Sequence, residues 1–188
     1  MKNIHLTLLA ILITISSISC SSDDYDNSDT DNNGSTPTEN FLKIGGINYE
    51  LKDGTINDYN APFDGEVYNF DIGLYTTNLT SSGGLITPKD EVFTYIKFEL
   101  ITNNNINLAI GSYRPAENSY EAEPYTYLTA GVTIEYDLRN TYEDYQRVTF
   151  GNVLISQNGA TYEISFEGTT ASGTPISFKY TGALIVEE

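Results

Sequence analysis

Histidine, methionine, tryptophan and cysteine are almost absent from this chain of 188 residues, which has one histidine, one methionine, one cysteine and no tryptophan. Met1 and His5 lie close to the start, and the cysteine is Cys20. The chain after Cys20 therefore cannot form a Ser-His-Asp or Cys-His catalytic centre. It also lacks the usual ligands of zinc, haem and copper, and it cannot form an internal disulfide. We expect no cofactor and a fold that packing alone stabilises.

Basic residues are also few. The chain has 26 Asp and Glu against nine Lys and Arg, a formal net charge of −17. Residues 41–188 contain 20 of the acidic and eight of the basic residues, which gives −12. A surface of this sign repels phosphate backbones, and no basic stripe reverses it, so we expect no nucleic-acid partner.

The first apolar segment predicts export. Lys2 is followed by the apolar run Ile4–Ile15 and by small residues at 16–19. Because a spanning helix needs about 20 apolar residues, this run is too short to remain in a membrane, and the pattern is typical of a secretory signal peptide. We predict a signal peptide at 1–19. Cys20 would then stand at the cut site, where a cysteine can carry a thioether-linked diacylglycerol.

Two short motifs around this cysteine resemble those of bacterial lipoproteins. Ser17-Ile18-Ser19-Cys20 resembles the lipobox, with Ser17 at the position where leucine is commonest. Ser21-Ser22-Asp23-Asp24 resembles the export signal that Bacteroidota place after the lipidated cysteine. The resemblance implies a lipoprotein of the outer membrane that faces the cell exterior. Its lipid would be its contact with the membrane. The alternative is a lipoprotein that faces the periplasm.

Residues 20–40 predict a disordered acidic linker. From Ser21 to Asn40 the chain carries six acidic residues, no basic residue, and Tyr25 as its only large apolar side chain, too little to offset the entropy of ordering. Within it, Asp29, Asp31 and Asn33 match the first half of a calcium-binding loop. Asn40 stands at the twelfth position of that loop, where a glutamate normally closes it. We therefore predict no metal site, with these three residues as a weak calcium candidate.

From residue 41 onward, apolar residues alternate with a period of two, which is typical of β-strands. The segment 132–138 is the clearest example, with Val132, Ile134 and Tyr136 expected on one face. Gly45-Gly46 predicts a hairpin turn. The alternation slips at Gly151, which suggests a β-bulge. No segment shows a helical period.

We therefore predict one antiparallel all-β domain of about eight or nine strands over residues 41–188. Long loops near 78–91 and 113–125 favour a β-sandwich, and a barrel of the lipocalin type is the alternative. The strand-rich segments 108–113, 151–153 and 162–166 resemble a loose pattern of uncharacterised Bacteroidota surface lipoproteins, which combine a lipobox with one β-sandwich-like domain. That resemblance implies fold and location, and no active-site residue.

Paired carboxylates are the catalytic groups that this composition still allows, since glycoside hydrolysis needs only two. Glu135 and Asp137 share a predicted strand face, and Glu163 and Glu167 form a second candidate pair. Carboxylates along one strand face are more often a solvated row, and no apolar pocket is evident around either pair. We therefore predict that the protein is not an enzyme.

Tyrosine is in excess, with 15 residues, of which 14 follow residue 41. Those in polar segments that also contain acids are suited to stacking on a sugar face or receiving a peptide. These candidate ligand-binding residues are Tyr120, Tyr125, Tyr127, Tyr142 and Tyr145. We predict a non-catalytic role in glycan or protein recognition. The alternatives are a structural or adhesive component that assembles through β edges and, third, a carboxylate-pair glycoside hydrolase.

Overall fold

The described part of the chain is built mainly of β-strands. The computed structural model describes residues 39–64, 67–117, 122–140 and 143–187. These residues form thirteen strands and no helix, which confirms the predicted all-β class. The strands are β1 (Phe41–Ile44), β2 (Ile47–Glu50), β3 (Asp53–Asp64), β4 (Val67–Tyr75), β5 (Leu79–Ser82), β6 (Leu85–Pro88), β7 (Val92–Thr102), β8 (Gly111–Pro115), β9 (Thr126–Asp137), β10 (Asp144–Gln157), β11 (Tyr162–Thr170), β12 (Pro175–Gly182) and β13 (Ile185–Glu187).

The strand count exceeds the eight or nine predicted. Strands β5, β6, β8 and β13 have only three to five residues, too few for an alternating pattern to be recognised. Two of them, β5 and β6, pair as a hairpin within the segment 78–91, which was expected to be a long loop.

Eleven strands form one mixed sheet in the order β13-β3-β4-β7-β9-β8-β10-β11-β12-β1-β2. Neighbours are antiparallel except for β13–β3 and β8–β9. Strand β10 links the two halves of the sheet. Its first residues, from Asp144 to Arg147, pair with β9, and its later residues, from Val153 to Ile155, pair with β8.

The sheet curls until its two halves face each other. At least three strand spacings separate β7 from β11, which would be about 14 Å in a flat sheet. Yet the ring centroids of Phe98 on β7 and Phe166 on β11 are 5.2 Å apart, and Phe178 on β12 lies 5.8 Å from Phe98. These three buried rings form the centre of the core. Because strand pairing continues from one half to the other, the arrangement is a half-barrel, and the predicted division into two sandwich sheets is not confirmed.

The hairpin predicted at Gly45-Gly46 is confirmed. Ile44 pairs with Ile47, and Leu42 pairs with Tyr49. Gly45 and Gly46 have φ angles of 55° and 96°, a conformation that side-chain-bearing residues rarely adopt. The two glycines therefore permit the two-residue turn between β1 and β2.

A β-bulge interrupts β9, where the clearest alternation was predicted. Ile134 and Glu135 together lie opposite the single residue Thr94 of β7, and Glu135 has a φ of 50°. The backbone N–H of Glu135 donates to Oγ1 of Thr94 at 3.1 Å. Since one extra residue reverses the parity of a strand, Tyr136 lies on the opposite face from Val132. Tyr136 packs there against Tyr95, with ring centroids 5.8 Å apart.

The half of the sheet that contains β4, β7 and β9 has one face toward the core and a second face, here called the outer face. Core-facing residues include Ile72, Phe98 and Val132. A smaller aromatic cluster, built around Tyr75 and Phe93, covers part of the outer face. The β5–β6 hairpin contributes Leu79 and Ile86 to that cluster. Polar and glycine positions occupy the rest of the outer face.

Candidate functional site

The five candidate tyrosines have different environments. Tyr120 and Tyr142 lie outside the described residues. Tyr125 is half-buried, and its ring centroid is 5.5 Å from that of Tyr113. Tyr127 is only 3% exposed, packs edge-on against the core ring of Phe98, and donates its hydroxyl proton to a backbone oxygen. Tyr145 is 55% exposed and lies on the outer face. Among the described candidates, Tyr145 is therefore the one whose side chain is largely exposed. Tyr127 belongs to the core.

The candidate carboxylate pairs do not form sites. Asp137 accepts hydrogen bonds from the Arg139 guanidinium at 3.0 and 3.2 Å, which hold the pKa of Asp137 below its ordinary value. Glu135 lies at the bulge. Glu163 and Glu167 are four residues apart on β11, about 13 Å in an extended strand, which exceeds the spacing that glycosidases use.

The predicted lipidation and calcium positions lie outside the described residues. They are Cys20, Asp29, Asp31 and Asn33. Within the part of the chain that the structure describes, no group of three or more His, Cys, Asp or Glu side chains is arranged to hold a metal ion.

A groove crosses the outer face along a row of three residues that are paired across the strands. Gly73 of β4, Lys97 of β7 and Gly131 of β9 lie side by side across the strands. The Tyr75 ring covers Gly73 and the Tyr145 ring covers Gly131, so Lys97 stands between two glycines that are each covered by a ring. We call this feature the outer-face groove and define it by Asp71, Tyr95, Lys97, Glu99, Gly131 and Tyr145, all of which line one cavity of about 260 Å³.

The ring of Tyr145 lies directly on Gly131. A Cβ atom at position 131 would overlap the Tyr145 ring, so only glycine allows this contact. Gly131 is buried beneath the ring, whereas more than half of Tyr145 is exposed. The hydroxyl end of the ring therefore rests on the backbone of β9, where it donates to the Ala130 carbonyl oxygen at 3.4 Å, and the side chain also lines the groove. A flat aromatic surface supported from below is suited to stacking against an apolar sugar face.

A second margin of the groove consists of hydrogen-bonded acids. Asp71 and Glu99 lie directly opposite each other on β4 and β7. Glu99 accepts hydrogen bonds from Nδ2 of Asn69 at 2.7 Å and from Oγ1 of Thr129 at 3.1 Å, one at each carboxylate oxygen. Each oxygen keeps a further lone pair, so Glu99 can also accept a ligand hydroxyl.

Asp71 is the strained member of this acidic margin. Its Oδ2 accepts a hydrogen bond from the Tyr59 hydroxyl at 2.9 Å, while its Oδ1 is buried without a partner. Burial raises the pKa of Asp71 above its ordinary value, and the charges of Glu99 and Glu187 raise it further. The hydrogen bond from Tyr59 and the charge of Lys97 act in the opposite direction. The same hydrogen bond to Asp71 raises the pKa of Tyr59 to about 12.

Lys97 is the cation of the groove. Its Nζ lies 5.6 Å from the centroid of the Tyr95 ring, within the range of a cation–π contact. Burial of the side chain favours the neutral amine, but Tyr75, Glu187 and Tyr95 outweigh it and raise the pKa of Lys97. Lys97 is therefore a charged donor between the aromatic and acidic margins of the groove.

A second cavity of about 320 Å³ adjoins the groove. Lys97 lines both cavities. The second cavity lies against the β5–β6 hairpin, which contributes Leu79, Gly84, Ile86 and Pro88, and Tyr75 and Glu187 complete it.

Sequence reasoning missed Asp71, Lys97 and Glu99. Each stands between two apolar residues of a strand, as in Phe70-Asp71-Ile72 and Phe98-Glu99-Leu100. That alternation indicates that each polar side chain faces away from the core. It does not indicate that β4 and β7 are neighbours, and so it could not have assembled the three residues into one site.

Comparisons of the chain with protein-family models, with curated proteins and with solved structures give no match. Among the described residues there is also no helix that could cross a membrane.

Proposed function

We propose that this protein is a lipoprotein of the outer membrane, anchored by lipid at Cys20, exposed at the cell surface, and that it binds a glycan in the outer-face groove without catalysing a reaction. The anchor and the location rest on the sequence around Cys20 and on its resemblance to bacterial lipoproteins. A periplasmic orientation of the same lipoprotein is the alternative. The binding role rests on the groove.

The observation that carries the binding proposal is the Tyr145 ring on Gly131. A ring that the backbone supports from below loses little side-chain freedom when it stacks on a ligand, so the contact costs little entropy. Lys97 supplies hydrogen-bond donors nearby, and Glu99 and the Thr129 hydroxyl oxygen supply acceptors. Sugars present both apolar ring faces and hydroxyl groups, and this combination of groups matches both.

Protein recognition is less well supported than glycan binding. The groove crosses β4, β7 and β9 inside the sheet, where strand pairing already uses the backbone groups. An extended peptide therefore cannot add to these strands by β-augmentation. It would depend on side-chain contacts alone.

Assembly through sheet edges is also less well supported. The edge strands β2 and β13 have only four and three residues. Short edge strands offer few unpaired backbone groups to another subunit, and natural β-proteins use them to limit such pairing.

A glycoside hydrolase is the third candidate. The facing carboxylates Asp71 and Glu99 meet the first requirement of such an enzyme. However, Oδ1 of Asp71 is buried, and Oδ2 is occupied by the Tyr59 hydroxyl. A glycosidic oxygen would have no access to the acid, which favours binding over catalysis.

For the fold itself, we infer that the half-barrel works as two sandwich-like layers, with β3, β4, β7 and β9 in one and β10, β11, β12 and β1 in the other. The contacts of Phe98 with Phe166 and Phe178 support this interpretation. A closed barrel would be the alternative. In either case the groove lies on the outside of the first layer.

Glycan-array binding followed by calorimetry tests the proposal. Tyr145→Ala should weaken binding of the best array glycan by about 1–3 kcal/mol, as for interface hot spots. The free energy of unfolding should fall by only about 0.2–1 kcal/mol, the size of one cross-strand contact, because more than half of Tyr145 is exposed. Phe150→Ala is the matched control, since Phe150 is a 70% exposed aromatic residue that does not line the groove, and it should leave binding unchanged.

Two results would reject this role for Tyr145. One is unchanged glycan binding by Tyr145→Ala. The other is a loss of stability as large as that of Tyr127→Ala, which should cost about 3–5 kcal/mol because Tyr127 is buried. An array without any bound glycan would reject the proposed function as a whole.

A further inference from the structure

The two cavities on the outer face share one lining residue, Lys97. Lys97 separates them and lines both, so a ligand in one cavity meets the same ammonium group as a ligand in the other. Gly131, beneath Tyr145, and Gly73, on the far side of Lys97, are two strand spacings apart, about 10 Å. The path between them crosses β9, β7 and β4 and ends against the β5–β6 hairpin.

The size of the cavities favours a ligand that occupies both. Pockets for small molecules usually measure about 300–1,000 Å³. The first cavity, at about 260 Å³, is below that range, and the second, at about 320 Å³, is at its lower end. Together they fall well within it. A single sugar ring would leave half of this surface unused.

The second cavity offers the same two kinds of group as the first, an apolar surface and a carboxylate. The hairpin supplies the apolar surfaces of Leu79 and Ile86, and Glu187 supplies an acceptor. Each of the two cavities, one on each side of Lys97, therefore offers an apolar surface and a carboxylate. This repetition fits a ligand whose own groups repeat.

The charges favour a neutral ligand. Asp71, Glu99 and Glu143 line the first cavity and Glu187 the second, while Lys97 is the one base among the described residues that line them. An anionic sugar would meet more negative than positive charge, and this repulsion opposes binding. Hydroxyl groups can instead donate to the carboxylates of Glu99, Glu143 and Glu187 and accept from the Lys97 ammonium group.

We propose that the outer-face groove binds an unbranched, neutral oligosaccharide, which stacks one sugar on Tyr145, passes Lys97, and places a later sugar against Ile86 of the β5–β6 hairpin. The inference rests on the proposed glycan-binding function and adds the length and charge of the ligand. Lys97 is the central contact and donates hydrogen bonds to the sugars on its two sides.

A series of neutral oligosaccharides tests the length of the site. The series, from the free monosaccharide to the hexasaccharide, is chosen from the glycan class that the array identifies. Calorimetry with the purified protein should show affinity rising by about tenfold or more with chain length and then levelling off, since each tenfold step corresponds to about 1.4 kcal/mol.

Two variants locate the second part of the site. Ile86→Trp fills the second cavity and should remove the gain with length while leaving monosaccharide affinity within about twofold. Leu85→Trp is the matched control, because Leu85 is 70% exposed and does not line the cavity, and it should keep the gain. Lys97→Gln should weaken the longer chains more than the monosaccharide, and it gives an independent result if Ile86→Trp folds poorly.

The outcomes separate the two proposals. If binding depends on Tyr145 but not on chain length, Ile86 or Lys97, the extended site is rejected and the glycan-binding function stands. If no glycan binds, or if Tyr145→Ala has no effect, the proposed function is rejected together with the extended site. If oligolysine peptides bind with the same dependence on Tyr145 and Ile86 and no glycan does, the ligand is a basic peptide and both glycan proposals are rejected.

Discussion

Aromatic rings placed on glycines account for part of the tyrosine excess. At six glycines an added Cβ would strike one of five neighbouring rings at close range, and the pairs are Gly73 with Tyr75, Gly111 with Tyr125, Gly131 with Tyr145, Gly151 and Gly168 with Phe166, and Gly182 with Tyr180. A glycine in a strand leaves a gap that a ring can cover. Of these five rings, Tyr145 is the exposed one. It covers the gap above Gly131 and still presents part of its surface to solvent.

Asp71 provides a prediction at the same scale. Because its folded-state pKa is raised, the folded protein favours the neutral carboxyl. The stability that this preference contributes is present below the ordinary pKa of Asp, near 4, and is lost as the pH rises through the raised value. Asp71→Asn should therefore raise the free energy of unfolding at pH 7 by about 0.5–1 kcal/mol, the size of a relieved cross-strand repulsion with Glu99. Denaturant unfolding measures it.

The pH dependence of Asp71→Asn distinguishes this cause from others. Near pH 3 the aspartate is largely neutral, so the gain should nearly vanish there. Asp144→Asn serves as the control, since Asp144 is exposed, and it should change stability by less than about 0.5 kcal/mol at either pH. A loss of stability by Asp71→Asn at pH 7 would contradict the assignment of a strained carboxylate.

At the scale of the element, the bulge in β9 adds one ring to the aromatic cluster beside the groove. Without the extra residue, Tyr136 would face the core with Val132. With it, Tyr136 joins Tyr75, Phe93 and Tyr95 on the outer face. Tyr136 packs against Tyr95, which in turn contacts Lys97, so a local irregularity of one strand reaches the surroundings of the site.

Glu135 allows the bulge to be tested. Its φ of 50° is left-handed, a conformation that asparagine tolerates and that a β-branched residue strongly disfavours. Glu135→Val should lower the free energy of unfolding by about 1–2 kcal/mol, whereas Glu135→Asn should lower it by less than about 0.5 kcal/mol. Glu167→Val is the control in regular strand β11, where valine is favoured. Equal stability of the two Glu135 variants would mean that the bulge is absent in solution.

At the scale of the whole molecule, the acidic charge and the predicted anchor act together. A net charge of −17 repels anionic membrane surfaces, so the protein gains little from electrostatic attachment. Membrane attachment would then depend on acyl chains, and two or more chains hold a protein stably.

Cys20→Ser tests this dependence on lipid. The variant should leave the membrane fraction and appear in the soluble fraction, because Cys20 is the only cysteine. Ser28→Ala, in the same acidic segment, should remain with the membranes. Cell fractionation with a high-salt wash measures both, since salt removes weak electrostatic contacts. A Cys20→Ser variant that still sediments with membranes after the wash would overturn the anchor assignment.

Local patterns in the sequence determined the strand class, the Gly45-Gly46 hairpin with its register, and Tyr145 as a candidate ring, because each depends on residues close together in the chain. Only the tertiary structure decided that Tyr127 is core, that Tyr136 turns outward, and that Asp71, Lys97 and Glu99 share one groove with Tyr145. Those outcomes depend on which strands pair, on one extra residue in β9, and on the curl of the sheet. Alternation shows that a side chain leaves the core, but strand pairing alone decides which side chains it meets.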